Sequence, residues 1–311
     1  MKTFPLPGTE LTVPAVVAGM MRIQDKTDAE IRALVDAALE SGITFFDHAD
    51  IYGSAPAHGC ERRFAEALRL SPSARSELVL QTKAGIVKDG PYFDFSYDHL
   101  IEAVDGSLAA LGTDYIDILL LHRPDALVEP EEVARAIDDL AAAGKVRHFG
   151  VSNHTPAQIE LLRRWVTRPL VANQVQLSIT HAPLITQGVA MNMAALEQSA
   201  DRTLGTLDYC RLHDITIQAW SPFQAGFFTG PFLGSRAYPE LNEVIDRLAA
   251  SYGVPPEGIA TAWLTRHPAR MQVVLGTTSP DRVRAAAAGA DVVLTRQEWY
   301  ELFRAAGHLV P

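Results

Sequence analysis

Apolar residues recur along the chain in two alternating patterns. Short, nearly continuous runs rich in β-branched and aromatic residues read as buried strands, and longer stretches with apolar positions three or four apart read as amphipathic helices. The strand candidates are AVVAGM, ITFFDH, LVLQTK, YIDILLLH, VRHFGVS, LVANQVQ, ITIQAW and MQVVLG, beginning near residues 15, 43, 78, 115, 146, 170, 215 and 271. Between the first two lies DAEIRALVDAALESG, a helical pattern over residues 28–42 that ends at a glycine. Strands alternating with helices require right-handed crossovers and a parallel sheet, and eight such units favour a closed (β/α)8 TIM barrel over an open sheet. No GxGxxG follows the first strand, which argues against a doubly wound dinucleotide fold.

Two connections exceed an ordinary βα loop: residues 176–202, containing GVAMNMAALEQSADR, and residues 221–256, containing SPFQAGFFTGPFLGSRAYPE. Long connections in a compact domain are usually functional or mobile. No Pro/Ser/Gly-rich linker divides the chain, so residues 1–311 are read as one domain.

Composition narrows the partners. The chain is 48% hydrophobic and 21% charged, as expected of a globular protein. With a net charge of −10 and no basic cluster longer than LRRW, it has no nucleic-acid footprint. Its two cysteines, Cys60 and Cys210, form no CxxC pair, which argues against a disulfide framework or a zinc site and suits a reducing compartment. With neither a signal-peptide pattern nor an apolar run of roughly 18 residues, the expected location is cytoplasmic, away from membranes. Oligomeric state is not readable from the chain.

The candidate chemistry is found by a single filter: in barrels of this kind, catalytic groups come from the C-terminal ends of several strands. The filter selects Asp47, Asp50 and Tyr52 after the second strand, and Lys83 and His122 at the ends of the third and fourth. Further along it selects Ser152 and Asn153, Gln174, and Trp220 with Ser221. A tyrosine serves as a proton donor when a neighbouring ammonium stabilises its conjugate base, and Lys83 can supply that charge. Asp47 is the counter-charge for the ammonium, and His122 can hydrogen-bond and orient a carbonyl oxygen. The implied task is polarising a carbonyl. Asp50, which has no proton to move in this scheme, is expected to be structural and paired with a base at the barrel mouth.

The ordered blocks FFDHADIYG, LQTK, TDYIDILLLHRPD, GVSN, NQVQ and AWSPF resemble those of the aldo-keto reductases, and the resemblance spans essentially the whole chain. It implies NADPH-dependent reduction of an aldehyde or ketone, with Tyr52 as general acid, Lys83 and Asp47 as its tuning ion pair, and His122 orienting a small-molecule carbonyl substrate. It also implies that the cofactor lies extended across the barrel mouth. Gly19 and Met20 would touch it after the first strand, Ser152, Asn153 and Gln174 would hold the carboxamide, and Trp220 would stack on the nicotinamide. Ser221, Pro222 and Phe223 would line the pyrophosphate path. The segment VVLGTTSPDRV is similar to the one that grips the adenosine 2′-phosphate, placing Gly276, Thr277, Thr278 and Arg282 there. Gly276 occupies a position that is lysine in many members, and alanines in RVRAAAAG replace the acidic and amide residues often found beyond the arginine.

Taken singly, these residues have plainer readings: Asp47 as a turn cap, Tyr52 as a half-buried aromatic, Lys83 as a surface lysine lying along apolar neighbours. Their convergence on adjacent strand ends favours the catalytic reading. The other histidines show no HxH or HExxH spacing, so no metal is expected. The alternative from another class is an NADP(H)-binding regulatory or redox-sensing subunit with slow turnover, since potassium-channel β-subunits share this motif set.

Overall fold

The computed structural model describes residues 1–54 and 57–311. Eight parallel strands close into a barrel, in chain order Val16–Gly19, Phe45–Asp47, Val79–Ala84, Ile116–Leu121, Val146–Ser152, Leu170–Gln176, Thr216–Trp220 and Gln272–Leu275. Each pairs with its sequence neighbours, and the eighth closes on the first, with Val274 opposite Val17. All eight sequence candidates are the barrel strands.

Two hairpins lie outside the barrel. The N-terminal one pairs Thr3–Pro5 with Thr12–Pro14 and carries Phe4, Leu6 and Val13 into a buried cluster with Val17, Phe45, Val79, Ile118 and Val274. It closes the bottom of the barrel, so the opening segment is structured. The other, Ile86–Val87 with Tyr92–Phe93, follows the third barrel strand.

The alternation of side chains along a strand builds the interior in layers. Phe45 belongs to the inner cluster and Phe46 to the outer core that packs barrel against helices, so Asp47 returns to the inside. Val79 is inside and Leu80 outside, which directs Gln81 and Lys83 inward. Above the apolar floor, a belt of glutamines crosses the barrel. Gln81 and Gln218 exchange amide hydrogen bonds at 2.9 and 3.0 Å, Gln218 donates to Gln272 at 2.9 Å, and Gln272 donates to the carbonyl of Pro14 at 2.8 Å. Fully paired, these buried amides avoid the cost of unsatisfied polar groups.

Close approach explains one glycine. A Cβ on Gly19 would lie 2.4 Å from the carbonyl oxygen of Leu275, so the first and eighth strands meet at the mouth only because this residue has no side chain.

The two long connections are partly helical. Residues 176–202 contain the helix Pro183–Val189 and the 3-10 turn Glu197–Ser199, and the second half of 221–256 is the helix Pro239–Tyr252. That helix has Pro at its start, buries Leu241, Ile245 and Leu248, and stops at Gly253 with φ of 66°. Its periodicity is overshadowed in sequence by the Gly-, Pro- and Phe-rich stretch before it.

Candidate active site

One layer above the glutamine belt, Lys83 is almost wholly buried, and its ammonium donates to Asp47 Oδ2 at 2.7 Å, to the His48 carbonyl at 2.7 Å and to the Tyr52 hydroxyl at 3.0 Å. Asp47 is held from the other side by amide donors, Gln81 Nε2 at 2.6 Å and Gln174 Nε2 at 3.0 Å. Tyr52 arrives on a turn closed by its own N–H to the Ala49 carbonyl, at 3.0 Å. Its ring meets the imidazole of His122 edge-on, with centroids 5.9 Å apart.

Burial and charge act against each other here. Burial pushes the Tyr52 phenol above its ordinary pKa and Lys83 pulls it back only in part, so the hydroxyl stays protonated at neutral pH. Burial alone would lower the ammonium of Lys83, but Asp47 and Tyr52 outweigh it and the net shift is upward. His122 is driven well below the ordinary histidine value by burial, and then by the charges of Lys83 and Arg123. It is therefore neutral. Its Nδ1 is buried without a partner among the described residues, which leaves Nε2 to face the cavity.

These groups form the floor of a cavity of about 620 Å3 at the C-terminal ends of the strands. Asp47, Tyr52, His122, Ser152, Asn153, Gln174, Trp220, Ser221, Pro222, Phe223, Gly19, Gly276, Thr277, Thr278 and Arg282 all line it, so the strand-end filter gathers residues that share one space. Lys83 lies just beneath. Met20 does not belong to the lining. Its side chain is fully buried in the outer core, because alternation after Gly19 turns it away from the mouth, and Met21 and Arg22 line the cavity instead.

Several polar groups of the wall are already engaged with each other. Ser152 Oγ donates to the Gln174 carbonyl at 2.9 Å and accepts from Asn153 Nδ2 at 2.8 Å. Asn153, in the left-handed region with φ of 60°, accepts from the Trp220 indole N–H at 3.1 Å and so fixes the plane of that ring. Gln174 spends its amide nitrogen on Asp47 and Gln218, leaving its oxygen as the free end.

The residues fit a nicotinamide dinucleotide. Trp220 offers an oriented π-face, and the Gln174 oxygen is an acceptor beside it. At the other end, the hydroxyls of Thr277 and Thr278 lie at the N-terminus of the helix Pro280–Ala287, whose dipole favours phosphate. Gly276 leaves open space where a side chain would stand. No group of residues able to hold a metal ion occurs among the described residues. No helix among them is long and apolar enough to cross a membrane.

Sequence reasoning overlooked Arg22, Arg123, Ile86, Phe227 and Phe228, all in the lining. Arg123 was within reach of the filter, since it directly follows His122. The two phenylalanines sit in a loop without periodicity and carried no signal.

Asp50 is buried but finds no base among the described residues. Its Oδ1 accepts from the Ile51 N–H at 2.6 Å. Burial, reinforced by the nearby carboxylate of Glu61, raises its pKa from 3.8 to about 7. A carboxyl raised on folding destabilises the native state as pH climbs from the unfolded value toward the folded one. Asp50→Asn should therefore add a few kcal/mol of stability above pH 7, at about 1.4 kcal/mol per pK unit, with the gain vanishing below about pH 4. Urea unfolding of both proteins across that range tests this, and a gain independent of pH would refute it.

The barrel and the arrangement at its mouth are those of an oxidoreductase family. The chain belongs to the aldo/keto reductase family, whose model matches residues 15–305. It is 35% identical over 306 residues to a 6-dehydroglucose reductase of Agrobacterium fabrum, covering 94% of each chain. It is 34% identical over 304 residues to the oxidoreductase YdhF of Escherichia coli K12, covering 95% of this chain and 94% of that one. Among solved structures, a thermostable aldo-keto reductase, Tm1743, crystallised with the inhibitor epalrestat, superposes with a TM-score of 0.77 over 98% of this chain and 100% of its own. At 21% identity it speaks for the fold.

Proposed function

We propose that the whole chain, residues 1–311, is one catalytic unit that reduces an aldehyde or ketone to the alcohol with NADPH. Tyr52 is the general acid, Lys83 and Asp47 are its tuning pair, and His122 orients the carbonyl. The observation that carries this reading is the Lys83 ammonium, buried and shared between Asp47 Oδ2 at 2.7 Å and the Tyr52 hydroxyl at 3.0 Å, beside a neutral imidazole.

A carbonyl oxygen lying between the Tyr52 hydroxyl and His122 Nε2 accepts two hydrogen bonds, which draw electron density from the carbon. When bound, the nicotinamide cofactor supplies a hydride equivalent to that carbon. As the C=O π-bond breaks and charge builds on oxygen, Tyr52 releases its proton there. Lys83 stabilises the phenolate left behind, and Asp47 balances the ammonium. His122 keeps its proton and serves as a donor.

Gln174 and the Trp220 face, locked by Asn153, position the nicotinamide end. Thr277, Thr278 and Arg282 hold the 2′-phosphate end. Arg282 is exposed, and its guanidinium has no hydrogen-bond or ion-pair partner among the described residues, which leaves it available to a phosphate. With Gly276 in place of a longer cation, selection against NADH rests on this side chain. A charge-assisted hydrogen bond contributes roughly 1.5 to 3 kcal/mol. Arg282→Ala should accordingly weaken NADPH roughly ten- to a hundredfold and leave NADH nearly unaffected. Quenching of Trp220 fluorescence on titration with each cofactor reads both affinities. The reading as a whole is tested by NADPH consumption with a panel of aldehydes, and no turnover with any of them would refute it.

A further inference from the structure

The order of the strands divides the mouth into two halves. Gly19 apart, the lining groups assigned to the cofactor stand at the ends of the fifth to eighth strands. The ends of the first four carry Met21 and Arg22, Ile51 and Tyr52, Ile86, and His122 and Arg123. Around the reacting oxygen, the second half is apolar except for the proton-handling groups and two guanidiniums, which stand on the outer strands of the four and flank Tyr52 and Ile86.

Neither guanidinium has a hydrogen-bond or ion-pair partner among the described residues, in a protein whose net charge is −10. Among the described residues, only two carboxylates line the cavity. Asp47 is taken by Lys83, and Glu257 belongs to the helix Pro256–Thr265, which packs against the eighth strand and the helix of Arg282 on the cofactor side. Arg123 is half-buried, and burial lowers its pKa with no neighbouring charge to raise it. A partly desolvated guanidinium without a counter-charge is unfavourable in the free protein, and its planar fork suits a bidentate oxyanion. Because it is adjacent in sequence to His122, an anion it binds is held within one arginine's reach of the carbonyl.

We propose that Arg123 determines specificity by binding an anionic group of the substrate, a carboxylate or phosphate carried a few bonds from the reacting carbonyl, with Arg22 as a second cation at the rim. This names the substrate class for the reductase reading above and rests on it. Ile51 and Ile86 pack the connecting carbons.

Two measurements test it. The first compares kcat/KM with NADPH for matched aldehydes, 4-carboxybenzaldehyde against benzaldehyde and glyceraldehyde 3-phosphate against glyceraldehyde. The charged member of at least one pair should be favoured roughly tenfold or more, mainly through KM, and the pair that responds tells carboxylate from phosphate. In Arg123→Gln the ratio should fall toward one, and Arg123→Lys should restore part of it. The second measurement is calorimetric binding of benzoate, phenyl phosphate and benzamide to the NADP+-saturated protein, which needs no turnover. Benzoate or phenyl phosphate should bind at least about tenfold tighter than benzamide, and Arg123→Gln should erase the difference. Turnover of both members of each pair without a charge preference, benzamide binding as tightly as the anions, or a preference that survives in Arg123→Gln would overturn the proposal while leaving the reductase reading intact. Anion binding that depends on Arg123, with no aldehyde reduced, would uphold the anion site and overturn the reductase reading.

Discussion

Tyr52→Phe should lower carbonyl reduction by at least about a hundredfold, the lower end of what general acid catalysis contributes, while NADPH binding changes little. The substitution keeps the ring and removes one oxygen. The lost contacts are the hydrogen bond from Lys83 and the donor to the substrate, and the edge-on packing against His122 is retained. Because burial keeps the phenol protonated at neutral pH, wild-type reduction should be insensitive to this group from pH 6 to 8, and the variant should be slow throughout. Steady-state rates with one aldehyde, alongside cofactor titration, separate the two effects. A variant with near-normal kcat would show that the proton comes from elsewhere.

Lys83→Met should have the second-largest effect, and it acts on two properties at once. Removing one partner of a buried ion pair typically costs about 3 to 5 kcal/mol, because the remaining charge stays desolvated. Here the loss should fall toward the lower end, since Asp47 keeps hydrogen bonds from Gln81 and Gln174. Turnover should also drop, and the pH profile for alcohol oxidation should move to higher pH, because Lys83 is the group that pulls the Tyr52 phenol downward. The wild-type contribution of Lys83 has a defined pH window. A lysine whose folded pKa is raised stabilises the protein fully below its unfolded value of 10.5 and loses that effect as pH rises through the folded value. Stability of Lys83→Met measured against wild type should thus converge only in strong alkali. An unshifted oxidation profile would remove Lys83 from the tuning role.

The barrel was legible because its strands are buried on both faces and therefore read as largely continuous apolar runs, several of them followed by a polar residue where the strand meets the mouth. FFD and VLQTK show this directly, since alternation from Phe45 and from Val79 determines that Asp47 and Lys83 point inward. Met20, which the resemblance places against the cofactor, lies outside the cavity lining. Alternation turns that side chain outward after Gly19. The hairpin that closes the floor escaped notice because Thr3–Pro5 and Thr12–Pro14 are three residues each, too short to show a period. The pairing expected for Asp50 does not form because the nearby histidine, His58, hydrogen-bonds Glu61 instead, at 2.7 Å. Contacts between distant segments decide such choices, and local sequence does not carry them. Phe227 and Phe228 reach the cavity through the conformation of a loop, which likewise has no signature in residue spacing.

The glutamine belt has a consequence for how such a protein can diversify. Asp47 is anchored through Gln81 and Gln174 to Gln218, and through Gln272 to the backbone at Pro14, so the group that fixes Lys83 is tethered to strands on both sides of the barrel and to none of the loops. The residues proposed to meet substrate, by contrast, are Met21, Arg22, Ile51, Ile86 and Arg123 just beyond the strand ends. Under the proposed assignment, the Asp47–Lys83 pair is separable from most of the recognition surface, the exception being the turn after the second strand, which carries Ile51 beside Tyr52. The connections that carry Arg22, Ile86 and Arg123 could be lengthened or recharged over evolutionary time without moving Asp47 or Lys83, and chimeras that transplant them while keeping His122 and the turn of Tyr52 should retain the chemistry and take on the donor's choice of substrate.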